Sequence, residues 1–190
     1  MAERVKNMRQ LLIEAGIEEI NRAGVAEFSV RRVATACGVS CAAPYKHFKD
    51  KREFIAAIID YVNGQWRVRQ DEIIASCDGG LRQQLVEMTV GYIRFLMEKP
   101  YLRSILMLND AEFDNVYHRT SGQLSSRSEQ MAAEFFAGAG WDQEKVERKL
   151  HIVRAILFGT VFLLSCGELR YDEKVLDRVR AALHREFDLP

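Results

Sequence analysis

A chain of 190 residues with 48% hydrophobic side chains holds enough apolar mass for a proper core, which excludes a disordered polymer. Its formal charge is zero, with 27 Lys/Arg against 27 Asp/Glu, which excludes a uniformly basic nucleic-acid coat. That total hides an asymmetry: residues 1–52 hold ten Lys/Arg and six Asp/Glu, a net +4 that the remainder cancels with −4. A basic head on an acidic body steers one end toward a polyanion while keeping the whole soluble.

Four cysteines (Cys37, Cys41, Cys77, Cys166) form no CxxC pair and no Cys/His spacing suited to zinc, so reduced thiols, no metal and no cofactor are expected. The N-terminus is polar and cationic without a signal-like apolar stretch. The greasiest run, 152–165, contains Arg154 and is too short to cross a bilayer, so a cytoplasmic protein with no membrane partner is expected. Three prolines, few alternating apolar runs and long helical periodicities predict an all-α fold.

In chain order, residues 4–23 predict a first helix with Ile13, Gly16, Ile17 and Ile20 as its core stripe and Gly24 as its stop. Val25 and Phe28 pack the connection. Ser29 is a good N-cap for a short second helix carrying Val33, Ala34 and Cys37 on one face. Gly38 ends it, because glycine enters the left-handed conformation at little steric cost. Ser40 can cap a third helix over 41–47, and Ala34 lets the pair approach closely, with Val39 and Phe48 as apolar anchors. Two short helices joined by a glycine corner make a helix-turn-helix pattern. The outward residues of the second are small (Cys41, Ala42, Ala43) or polar-tipped (Tyr45, Lys46, His47), a surface suited to a groove of DNA.

Gly38-Val39-Ser40, Tyr45, His47-Phe48 and Lys51, in this order and spacing, resemble the DNA-binding signature of the tetracycline-repressor (TetR) family over roughly residues 9–60. The resemblance implies an all-helical homodimer, with an N-terminal three-helix domain that binds operator DNA and a C-terminal helical domain that binds a ligand. On that basis Arg31, Cys41, Ala42 and Ala43 are expected to face bases, and Ser29, Ser40, Tyr45, Lys46, His47 and Lys51 the phosphate backbone. Pro44 stands where the family usually has leucine. Proline is tolerated in a first helical turn, so a slightly altered recognition helix is expected.

Asp50 with Glu53 resembles a capping box opening a long helix to about residue 74, with Ile55, Ile58, Val62, Trp66 and Ile73 on its buried side. This divides the chain into a DNA-binding domain, 1–52, and an effector-binding and dimerisation domain, 53–190, bridged by that helix. After a turn at 76–80, Leu81, Leu85, Met88, Tyr92 and Phe95 mark another helix, closed by Pro100. A short segment over 101–108 precedes a polar stretch, 109–128, that reads as loop or broken helix. Helices are then expected over about 128–139, 143–165 and 172–187. The second is apolar nearly all round between 152 and 164, so it must be covered on more than one side. By resemblance, the last two helices pair with their symmetry mates as a dimer interface.

Trp66, Met88, Tyr92, Phe95, Met107, Phe113, Tyr117, Phe135, Phe158 and Phe162 are candidates to line a cavity for a small-molecule effector, and could equally be plain core. Cys37 reads as a core thiol. Cys41 could be an inert DNA contact or an oxidisable switch. No nucleophile elbow, phosphate loop or close carboxylate pair is present, so no catalytic residue is assigned. A repressor that binds a palindromic operator as a homodimer is the expected function; a helical protein-binding adaptor and a small helical enzyme using the C-terminal cavity are the alternatives.

Overall fold

Gly24 and Gly38, at φ +79° and +66°, are the two corners of the first forty residues. The computed structural model describes residues 2–102 and 127–189, with side chains from Met8 onward. α1 (Ala2–Ala23) ends where the Gly24 amide donates to the Ile20 carbonyl at 2.8 Å. α2 (Val30–Ala36) starts on Ser29, whose hydroxyl accepts from the Arg32 amide, as its sequence position predicts. It closes in a Schellman turn: Gly38 N–H donates to the Thr35 carbonyl and Val39 N–H to the Ala34 carbonyl, both at 3.0 Å.

The third element departs from the expectation. Instead of an α-helix over 41–47, residues 41–43 form a turn and only Pro44–Lys46 is helical, as a single 3-10 turn. The cause is Pro44. In a helix capped by Ser40, residue 44 is the first whose amide must donate to the cap's carbonyl, and proline has none. The helical start therefore moves to Pro44 itself, where the missing amide costs nothing.

α3 (Lys51–Ser76) opens on the predicted capping device: Glu53 N–H donates to Asp50 Oδ1 at 2.8 Å, and Glu53 Oε2 accepts from the Lys49 amide at 2.7 Å. α4 (Leu81–Glu98) follows, and Pro100 begins a further helical turn. α5 covers 127–138. α6 (Gln143–Ser165) and α7 (Glu173–Asp188) are capped by Asp142 and Asp172, whose carboxylates accept from the amides three residues on. All regular structure among the described residues is helical. Most of the expected 101–108 segment and nearly all of the 109–128 stretch lie outside the described residues, as do Met107, Phe113 and Tyr117.

The chain divides into two compact units, Met1–Trp66 with Lys99–Leu124, and Arg67–Glu98 with Ser125–Pro190; α3 contributes to both. In the first, Leu12, Ile13, Ile20, Phe28, Val33, Phe48, Phe54 and Ile58 are buried. Phe54 stacks on Phe48 at 4.1 Å and takes Phe28 edge-on at 5.3 Å. Gly16 makes this packing possible: a Cβ there would stand 2.6 Å from the Ile58 Cδ1 atom. In the second unit α4, α6 and α7 pack on one another. Val175, Leu176, Val179, Leu183 and Phe187 form the buried face of α7, and Arg180 joins α7 to α4 through Glu87 at 2.9 Å. Lys149 of α6 is buried and donates to the Glu186 and Leu189 carbonyls at 2.6 and 3.0 Å, capping the end of α7.

Candidate nucleic-acid interface

The glycine corner at 38 fixes how the chain leaves α2, and the residues after it divide sharply by exposure. Ser40, Cys41, Ala42, Tyr45 and Lys46 are exposed, Ala43 and His47 half-buried, Pro44 and Phe48 buried. Pro44 and Phe48 thus hold the segment to the core of the first unit while small and polar-tipped side chains face out. Tyr45 is notable for a large aromatic at 56% exposure. A phenol there can both pack and donate a hydrogen bond.

Arg31 of α2 is exposed and its neighbour Arg32 is not free to act in the same way. Arg32 Nε donates to Glu19 Oε1 of α1 at 2.6 Å, and its Nη2 donates to the Glu27 carbonyl. Arg22 reaches the other Glu19 oxygen at 2.8 Å. Burial by itself raises the Glu19 carboxyl, but hydrogen bonds from Arg32 and Arg22, with their positive charge, outweigh it and hold the group below its ordinary value. The sequence reading missed this device. Its signal was present: an acid three residues after Gly16 on the helix face that packs inward, with an arginine on the next helix to meet it.

Ser29 is half-buried and spends its hydroxyl oxygen on the α2 cap. Lys51, half-buried, donates from Nζ to the Ala26 carbonyl at 3.2 Å. Two of its three N–H donors remain for a phosphate. Cys37 is half-buried, its thiol facing the Leu11 carbonyl at 3.8 Å, and burial pushes its ionisation up. Cys41 is an exposed free thiol. Lys46, Lys49 and Arg52 are exposed beside the segment, consistent with a cationic surface at this end. Among the described residues, no cluster of three His/Cys/Asp/Glu side chains could hold a metal.

The effector candidates do not share one environment. Trp66 is buried in the first unit; Met88 and Phe95 are buried and Tyr92 and Phe135 half-buried in the second. Phe135 packs edge-on against Trp141 and Phe187 at 5.8 and 5.5 Å. Phe158 and Phe162, by contrast, are 49% and 56% exposed on α6, beside exposed Ala155 and Gly159. Among the described residues they are open to solvent. One face of α6 is covered through Leu157, Val161 and Leu164, and the expected second cover is not supplied by this chain among the described residues.

Residues 12–58 match the family model described as bacterial regulatory proteins, tetR family. A comparison with curated proteins by sequence finds no match. Solved structures similar to the chain include the transcriptional regulator FadR from Bacillus subtilis in complex with stearoyl-CoA, at 17% identity over 93% of this chain and 96% of that one, with a TM-score of 0.75. The fatty acid degradation regulator FadR from Bacillus halodurans is 16% identical over 92% and 93%, with a TM-score of 0.72. A TetR family transcription regulator from Marinobacter aquaeolei VT8 is 17% identical over 98% of both chains, with a TM-score of 0.69. Among the described residues no helix is long and apolar enough to cross a membrane. Residues 12–58, which hold the glycine corner, thus match the tetR family of bacterial regulatory proteins, and the chain as a whole has the all-helical fold of such solved regulators.

Proposed function

We propose that the chain is a repressor that binds a palindromic operator as a homodimer and is released by a small-molecule effector. Residues 1–52 bind DNA and 53–190 bind the effector and the second subunit. The carrying observation is the segment after Gly38, where Ser40, Cys41, Ala42, Tyr45 and Lys46 stand exposed over an anchor of buried Pro44 and Phe48. Arg31, Cys41, Ala42 and Ala43 meet bases, while Ser29, Ser40, Tyr45, Lys46, His47 and Lys51 set the register on phosphates.

A dimer is supported by the uncovered face of α6, where Phe158 and Phe162 flank Gly159 and leave open space over its Cα. Two copies covering that face bury the aromatics and present two heads to half-sites about one helical turn, roughly 34–36 Å, apart or a multiple of it. Small changes in head separation then decide binding, a coupling worth about 1–3 kcal/mol. The effector is a small molecule. A long-chain acyl-CoA is the first to assay, because the similar Bacillus subtilis structure holds stearoyl-CoA.

The test is retention of duplex DNA across a salt series. Binding that falls steeply with salt and prefers particular sequences supports the reading. Binding to protein alone, or substrate turnover without DNA retention, replaces it with the adaptor or the enzyme.

A further inference from the structure

Pro44 reorganises the segment that carries the base-facing residues. The Ser40 carbonyl, which in an α-helix would accept from residue 44, accepts instead from the Ala43 amide at 2.9 Å. The Ala43 carbonyl takes the Lys46 amide at 3.2 Å and the Pro44 carbonyl the His47 amide at 2.9 Å. Three bonds, accepted by Ser40, Ala43 and Pro44, thus have three-residue spacing; the four-residue spacing returns where Phe48 donates to Pro44 at 3.0 Å. Pro44 is buried, so its ring fixes this turn from the inside and has no path to DNA.

We infer that Pro44 determines which operator is chosen, without touching it, by holding residues 41–43 as a tight turn ahead of the helical start. The inference rests on the reading of Cys41, Ala42 and Ala43 as base-facing. A chain wound with three-residue spacing rises about 2.0 Å per residue against about 1.5 Å in an α-helix, so over three residues the side chains move by roughly 1.5 Å. Hydrogen bonds to base edges tolerate only about 0.5 Å, between roughly 2.7 and 3.2 Å. Restoring the amide at position 44 lets a helix begin at Cys41 and carries these three residues to different places along the groove.

The experiment is selection from a pool of randomised duplexes by the full chain, by Pro44→Ala and by Pro44→Leu, with thermal melting and a salt series on a duplex of scrambled sequence. The leucine variant keeps apolar volume at the buried position and carries the test if the alanine variant fails to fold. The expected result is a changed consensus within each half-site and a loss of about tenfold or more for the original site relative to the new one. Scrambled-sequence affinity and salt slope stay as in the parent. An unchanged consensus, or an equal loss on every sequence, overturns the inference. If the parent chain itself selects no sequence, the DNA-binding reading fails first and takes this one with it.

Discussion

Glu19 and Arg32 lock α1 to α2: the arginine Nε lies 2.6 Å from a carboxylate oxygen whose side chain is only 6% exposed, and the same guanidinium holds the Glu27 carbonyl. The pair orients the helix from which Arg31 projects. Glu19→Gln should cost about 1.5–3 kcal/mol, the range for a hydrogen bond to a charged group. The cost depends on pH in a defined direction. A carboxyl lowered by folding contributes in full above its ordinary value of 4.5, and that contribution is lost as pH falls through the lower folded value. Urea unfolding of parent and variant should therefore differ most near neutral pH and converge in acid. A gap that stays constant down to pH about 3 would show that the charge is not what Arg32 holds.

Gly38 stands at φ +66° with its amide and that of Val39 closing α2. Gly38→Ala meets open space, so its effect is backbone strain alone, about 1–2 kcal/mol. Thermal melting reads that loss. The same variant should bind operator more weakly, because the exit angle from α2 aims the segment after it. Full stability in the variant would mean the corner is less constrained than its bonding indicates.

Lys149 meets three oxygens at the end of α7: the Glu186 carbonyl at 2.6 Å, the Leu189 carbonyl at 3.0 Å and Glu186 Oε1 at 3.0 Å. Lys149→Met keeps much of the apolar stem but abandons these acceptors in a site 1% exposed. A loss of about 3 kcal/mol is expected, in the range for breaking one side of a buried pair. Denaturant titration checks it; a change below about 0.5 kcal/mol, the ordinary surface value, contradicts the role.

Lys46→Ala should lower affinity on every duplex and reduce the salt slope by about one, as for a lost phosphate contact. Tyr45→Ala should weaken all sequences with little change of slope. Lys51→Ala carries two losses, the phosphate and its bond to the Ala26 carbonyl, so both slope and melting temperature should fall. An untouched slope for Lys51→Ala removes it from the DNA contacts.

Phe162→Glu places a charge on the uncovered face of α6. Sedimentation should show a monomer where the parent sediments as a dimer, and operator affinity should fall much further than affinity for a single half-site. A parent that is monomeric at assay concentrations would withdraw the interface.

Much was legible without coordinates because it is local. Ser29, Gly38 and the Asp50/Glu53 pair act on amides within a few residues, so residue type and spacing suffice to place the ends of α2 and the start of α3. The apolar face of α4 followed from period alone, with Leu85, Met88 and Phe95 buried as their spacing predicts. The recognition segment was misjudged by one hydrogen bond. Proline suits a first turn, but where that turn begins depends on which carbonyl lacks a donor, and the answer moved the helical start from 41 to 44.

The effector candidates show the limit most clearly. An aromatic at helical spacing says that something covers it, not what does. Phe95 is buried by its own chain and Phe158 is left to solvent, and nothing in the two residues' types foretells the difference. What the sequence determined by itself was the long helices among the described residues, the caps at Ser29 and Asp50 and the basic head, since these arise from neighbouring residues and from charge counted along the chain. What only the tertiary structure decided was which arginine is tied inward to Glu19 and which faces out, and which side of α6 is left uncovered, because burial and ion pairing depend on residues far apart in sequence arriving at one place.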